Sequence, residues 1–296
     1  MNRPNLVGKP DFLIIGAAKS GTTSLYAYLR QHPEVFMPGM KELNYFAPTH
    51  PFGIHDFSEY SQALTPDKSA QVVGEASPAY LSSPESPNLI HEALGDRVKL
   101  IALLRNPADM MYSHWAHSVR DALESRQAET ALLQSFNESW KPAEWYLQYA
   151  ERAQYAKQLK RYYDLFPTEN IKIYLYEDFF TPNFFLFNDL CSFLGVSSFA
   201  PDTEKKHNKG FLPKYRWLHR FINVHYGRHC LPLARRIVPT EVRHWVRGRL
   251  DVWNGIGRNS VPPMSRELRQ ELERQLDAGV RDLEKMLDRN LRAVWF

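Results

Sequence analysis

The stretch that decides the reading is "FLIIGAAKSGTTSLYAYL", Phe12 to Leu29. Four apolar residues run into Gly16, a short polar loop follows, and apolar residues then recur at helical spacing. A strand, an anion-holding loop and a helix have this form in sequence. Backbone N–H groups of a Gly-rich turn and of the helix start converge there on one anion. Gly16-x-x-x-x-Gly21 has the spacing of a nucleoside triphosphate loop. Yet Thr22 stands where such a loop has its lysine, and Lys19 sits three residues early, inside the loop. Thr22, Thr23 and Ser24 offer hydroxyl donors, but the lysine directly after the last glycine is missing. A plain strand-to-helix turn is the bland alternative. A lysine and three hydroxyls crowded into six residues favour binding of a phosphate-like group instead.

Outward from that loop, strand-like and helix-like stretches alternate. Gly21–Gln31 reads as the first helix, ended by His32-Pro33. "QVVGE" (Gln71–Glu75), "VKLIALLR" (Val98–Arg105) and "IKIYLYE" (Ile171–Glu177) read as further strands. Pro107 opens a helix at the turn where proline fits. "ERAQYAKQLKRYYDLF" repeats apolar residues every three to four positions and reads as one helix. Leucines at 268, 272, 276, 283 and 287 mark a C-terminal helix with Ser265 as its cap. Such alternation predicts an α/β fold, a mostly parallel sheet with helices on both faces and ligands at the carboxyl ends of the strands.

With 296 residues the chain can bury one large core, and 44% hydrophobic with 13% aromatic content predicts a folded globular protein. No run of eighteen apolar residues is present, so no membrane span is expected. "MNRPNLVGKPDFLIIG" is too short and proline-broken for a secretory signal, which predicts a cytoplasmic protein. Cys191 and Cys230 make neither a disulfide framework nor a zinc site.

The net charge of +4 is unevenly spread: from Lys205 to Leu250 there are twelve Lys or Arg against Glu241 alone. That segment carries about +11 and the remainder about −7, which points to an anionic partner. It interleaves Trp217, Phe221, Ile222, Trp245 and Val246 with arginines and reads as a basic helical insertion. A solvated cover, a groove for an acidic glycan and a peripheral hold on an anionic membrane surface are its three readings. No nucleic-acid readout motif is present, and no nucleic-acid partner is expected.

Lys19-Ser20-Gly21-Thr22-Thr23-Ser24 resembles the 5′-phosphosulfate loop of sulfotransferases that use 3′-phosphoadenosine 5′-phosphosulfate (PAPS). "LLRNPADMMYSHW" is similar to that family's 3′-phosphate motif, with Arg105 after a strand and Ser113 eight residues on. The arginine fork suits a phosphate. "MPGMKELNYFAP" resembles the glycan-modifying, heparan sulfate-type branch and its bacterial-like relatives, in which a Lys-Glu pair precedes aromatics. That resemblance makes Glu42 the base, with a pKa raised toward neutrality by the aromatics around it. "GEASPAYL" (Gly74–Leu81) is similar to another heparan-type stretch but has Ala76 at its lysine, which weakens a heparan-like substrate and leaves Glu75 a secondary acid–base candidate. "HNKGF" (His207–Phe211) and "NGIGRNSVPPMS" resemble cofactor-covering segments, the latter placing Gly257, Arg258 and Asn259 at the phosphates.

The resemblance implies a single domain over 1–296 with an insertion at about 205–250. It implies a three-layer, P-loop nucleotide-kinase-like fold around a central parallel sheet of about five strands. It further implies sulfuryl transfer from PAPS to an acceptor hydroxyl, on a glycan or glycolipid, with no metal required. Lys19 and Glu42 would be catalytic. Lys19, Ser20, Gly21, Thr22, Thr23, Ser24, Arg105 and Ser113 would bind the cosubstrate. The alternatives are a P-loop small-molecule kinase and a nucleotide-binding protein without turnover that docks on an anionic surface.

Overall fold

The computed structural model describes residues 8–50, 52–66, 70–121, 123–138, 147–179, 185–203 and 261–296. Five strands form one sheet: β1 (Phe12–Gly16), β2 (Val35–Phe36), β3 (Val72–Ala76), β4 (Lys99–Leu104) and β5 (Ile171–Leu175). Their order is β2-β3-β1-β4-β5, and every pairing is parallel. Phe12 faces Gly74 on one side and Lys99 on the other, and Leu104 faces Leu175. β1 is buried along its whole length, which is why its sequence is an unbroken apolar run rather than an alternating one.

The helices are α1 (Thr22–Leu29), α2 (Phe57–Ala63), α3 (Ala79–Ser82), α4 (Ser86–Leu94), α5 (Pro107–Arg120) and α6 (Ala128–Gln134). They continue with α7 (Tyr149–Arg152), α8 (Tyr155–Tyr163), α9 (Tyr176–Phe179), α10 (Phe185–Leu194), α11 (Arg266–Leu287) and α12 (Arg292–Trp295). Leu25 and Leu29 of α1 with Leu190 and Leu194 of α10 pack on Phe12, Ile14, Ile101 and Leu103 of the sheet. The Tyr162 hydroxyl of α8 donates to the Tyr80 carbonyl of α3 at 2.7 Å. No helix among the described residues is long and apolar enough to cross a membrane.

The structure departs from the sequence reading in its details. β2 is only two residues long and has no alternation to reveal it. The stretch read as one helix from Glu151 to Phe166 is two, α7 and α8, with Gln154 in a non-helical conformation between them. The last strand stops at Leu175, because Tyr176 already begins α9. Ser265 does cap α11, its hydroxyl accepting the Leu268 N–H at 3.2 Å.

The chain divides into two compact units. One comprises Met1–Met110, Gln154–His207 and Leu276–Phe296 and contains the whole sheet. The other comprises Met111–Ala153 and Asn208–Gln275. Within the latter, the buried Glu124 carboxylate accepts the N–H groups of Ser125 and Arg126, both at 2.8 Å, and the Arg126 guanidinium at 2.8 Å. The basic segment and the stretch with Gly257, Arg258 and Asn259 lie outside the described residues.

Candidate active site

After β1 the chain turns toward β2 and β3, whereas β4 and β5 lie on the other side. The carboxyl ends of β1 and β4 therefore flank the point where the strand order reverses, the place where open α/β sheets bind ligands. The loop Ala17–Gly21 rises from β1 there. Its first N–H, that of Ala17, donates to the Leu103 carbonyl of β4 at 2.7 Å and sets the loop on the sheet edge. Gly21 has a φ of 88°, a left-handed conformation that suits a residue without a Cβ, and it caps α1. Thr22, Thr23 and Ser24 form the first turn of α1, where backbone N–H groups have no intrahelical acceptor. Gly16 is needed for packing: a Cβ there would stand 2.6 Å from the Leu81 Cβ.

Lys19 is half-buried and also has a positive φ, 60°. Arg105, one residue beyond β4, donates from Nη1 to the Lys19 carbonyl at 3.5 Å, and its guanidinium lies 5.0 Å from the Tyr176 ring centre. Asn106 fixes the chain after Arg105, since its side-chain oxygen accepts the N–H of Ala108 at 2.9 Å and of Asp109 at 3.2 Å. The Arg105 guanidinium thus lies against the backbone of Lys19. Ser113 is half-buried on α5, in the other unit. His114 on the same helix is buried against the Tyr149 ring, and His117 pairs with Asp121.

Glu42 comes to the same edge from the segment between β2 and α2. Its N–H donates to the Ala76 carbonyl at the end of β3 at 3.0 Å. The Tyr26 hydroxyl of α1 donates to the Pro38 carbonyl at 2.5 Å and ties this segment to the helix after the loop. The Glu42 side chain is half-exposed and accepts the Lys41 ammonium at 2.7 Å. Burial pushes its carboxyl up, but the Lys41 ammonium, with Lys19 and His50 adding their pull, holds it below the ordinary carboxylate value. This corrects the expectation that aromatic surroundings raise the Glu42 pKa.

The raised carboxylate is Glu75. It is fully buried, and burial lifts its pKa to about 7 against the downward pull of Ser77, Tyr80, Tyr60 and Lys41. The Tyr80 hydroxyl donates to it at 2.9 Å, the Tyr60 hydroxyl at 3.1 Å, and the Ser77 hydroxyl donates as well. Tyr60 stacks on Tyr45 at 4.5 Å between ring centres. Sequence reasoning missed Tyr60, Tyr80 and Ser77 as a group. The available signal was a glutamate closing the strand run "QVVGE" just ahead of a serine and a tyrosine.

The arrangement brings the Gly-bounded loop, the Arg105 guanidinium and a carboxyl held below its ordinary pKa to the carboxyl ends of β1, β4 and β3. Residues 9–211 match the family described as the sulfotransferase domain. The membrane-associated sulfotransferase kil1 of Dictyostelium discoideum is 33% identical over 111 residues, 38% of this chain and 23% of that protein. Heparan sulfate glucosamine 3-O-sulfotransferase 6 of Homo sapiens is 32% identical over 110 residues, 37% of this chain and 31% of the relative. The chain thus spans less than a third of the length of either relative. A solved structure, the sulfotransferase from Alicyclobacillus acidocaldarius, is similar with a TM-score of 0.70 at 28% identity, covering 96% of this chain and 98% of that one.

Proposed function

Because the chain belongs to the sulfotransferase family, we propose that it moves a sulfuryl group from PAPS to an acceptor hydroxyl on a carbohydrate. The observation that carries this reading is the meeting of Lys19, Arg105 and Glu42 at the carboxyl edge of β1, β4 and β3, with Thr22 where a kinase loop has its lysine. The residues fit the cosubstrate. An ammonium, a guanidinium, three hydroxyls and the first N–H groups of α1 make a donor set for phosphate oxygens. When bound, the cosubstrate supplies the sulfuryl group. Lys19 and the loop N–H groups neutralise charge that grows on the departing phosphate side. Arg105 holds the second phosphate and fixes orientation. Glu42, kept ionised by Lys41, accepts the proton of the acceptor hydroxyl.

The heparan sulfate relative supports a carbohydrate acceptor. Ala76 removes a cation that would face such a polyanion, which favours a less charged sugar or a glycolipid. The likeness to a membrane-associated relative supports a peripheral hold on anionic lipid.

The test is calorimetric binding of 3′-phosphoadenosine 5′-phosphate beside ADP and Mg·ATP. Micromolar affinity that needs the 3′-phosphate and no magnesium is expected. Arg105→Ala should weaken it about 10–100-fold, the value of one charge-assisted pair. Glu42→Gln should keep that binding while turnover falls about 10²–10⁴-fold. Equal or tighter binding of Mg·ATP, indifferent to Arg105, would return the loop to kinase chemistry.

A further inference from the structure

The segment that carries Glu42 has no regular secondary structure from residue 37 to 50, yet its backbone is tied to its neighbours at every second residue from 42 to 46. The N–H groups of alternate residues point at β3 and α3. Glu42 donates to the Ala76 carbonyl at 3.0 Å, Asn44 to the Ser77 hydroxyl oxygen at 2.9 Å, and Phe46 to the Tyr80 hydroxyl oxygen at 3.4 Å. Glu42 and Asn44 have φ of 65° and 52°, a left-handed conformation that residues with a Cβ keep only where their surroundings impose it.

Two of those three acceptors are hydroxyls, and a hydroxyl accepts cleanly only when its own hydrogen is engaged elsewhere. Both hydrogens are engaged on Glu75. We propose that Glu75 is the positioning residue for the base: through Ser77 and Tyr80 it holds residues 42–46 on β3 and so fixes where Glu42 presents its carboxylate. This role rests on the reading of Glu42 as the base. Glu75 itself is not a second base, because it is fully buried and its oxygens are taken up by three hydroxyls.

The ionisation of Glu75 matters to this holding role. A carboxylate only accepts, and with about four lone-pair sites it suits three hydroxyl donors. A protonated Glu75 brings a further hydrogen that must go to one of those hydroxyls. That hydroxyl then receives two donors, and its own buried hydrogen loses its acceptor. The groups facing Glu75 are Ser77, Tyr80 of α3 and Tyr60 of α2, with Lys41 acting on it from the held segment. Lys41 also pairs with Glu42, so one ammonium favours the ionised form of both carboxylates.

Amide hydrogen exchange on the full chain, corrected for intrinsic rates, reads this directly. Glu75→Gln, which must donate as well as accept, should lower the protection of the Asn44 and Phe46 amides about tenfold relative to the wild type, the loss of roughly one buried hydrogen bond. Ser77→Ala should expose the Asn44 amide alone and Tyr80→Phe the Phe46 amide alone, with β1 and β4 amides unchanged in all three. Protection at 44 and 46 that ignores Glu75→Gln would overturn the proposal. The base reading fails separately: if Glu42→Gln keeps full turnover while exchange follows Glu75, the segment is held but Glu42 is not the base.

Discussion

Burial raises both candidate carboxylates of the sheet edge, and their neighbours then drive them apart. Glu42 has an ammonium at 2.7 Å and solvent beside it, so it stays low. Glu75 has only neutral hydroxyls in contact and no solvent, so it rises to about 7 from an ordinary 4.5. For a carboxyl whose pKa is higher in the fold, the neutral form is favoured by folding. That stability is fully present below pH 4.5 and is lost as pH climbs through 7. The shift corresponds to about 3 kcal/mol. Denaturant unfolding at pH 5 and pH 8 should therefore show the wild type losing about 3 kcal/mol relative to Glu75→Gln. Parallel pH curves would show that Glu75 does not titrate in this range. The residues proposed to hold phosphate were conspicuous in sequence because Lys19 and the hydroxyls are contiguous and Arg105 ends an obvious strand. The Glu75 network was not, since Tyr60 and Glu75 are 15 residues apart and meet only when α2 packs beside β3.

Elements were legible to the extent that burial writes a pattern. β1 and β4 are near-continuous apolar runs because the middle of the sheet is buried on both faces, and β3 and β5 interrupt theirs with one charged residue each, so all four are visible without knowledge of the fold. β2 is too short to carry a pattern, and the break between α7 and α8 has no Gly or Pro to mark it. The pairing of β1 with β3 depends on a detail invisible before register is known. Gly74 lies opposite Phe12, and a Cβ at 74 would stand 2.0 Å from the Phe12 ring. The ring covers the glycine and cannot move without leaving the core. Gly74→Ala should accordingly destabilise by about 3 kcal/mol, at the upper end of overpacking costs. Gly39→Ala is the control, with no positive φ and no atom within 4 Å of the added Cβ. It should change stability by no more than about 0.5 kcal/mol. Equal losses at the two sites, read from denaturation midpoints, would mean that the β1–β3 contact relaxes freely.

At the scale of the whole molecule, the proposed anion site should be visible in global stability. The loop, the start of α1 and Arg105 are all tied to β1 and β4, the middle of the sheet. A ligand bound there is bound only by the folded state. At a hundred times its dissociation constant it should add about 2.7 kcal/mol. For a chain of this size each kcal/mol moves the melting temperature by about 2 °C, so 3′-phosphoadenosine 5′-phosphate should raise it by about 5 °C. The same concentration of ADP, which lacks the 3′-phosphate, should do much less, and magnesium should change neither. Arg105→Ala should remove most of the shift without altering the melting point of the free protein, because its contacts here are a long hydrogen bond at 3.5 Å and a ring face. Higher salt should shrink the shift, as screening weakens the attraction between the ligand and the cations at the rim. A shift that ADP matches, or that survives Arg105→Ala in full, would place the gripping charge elsewhere and break the link between the β4 arginine and a second phosphate.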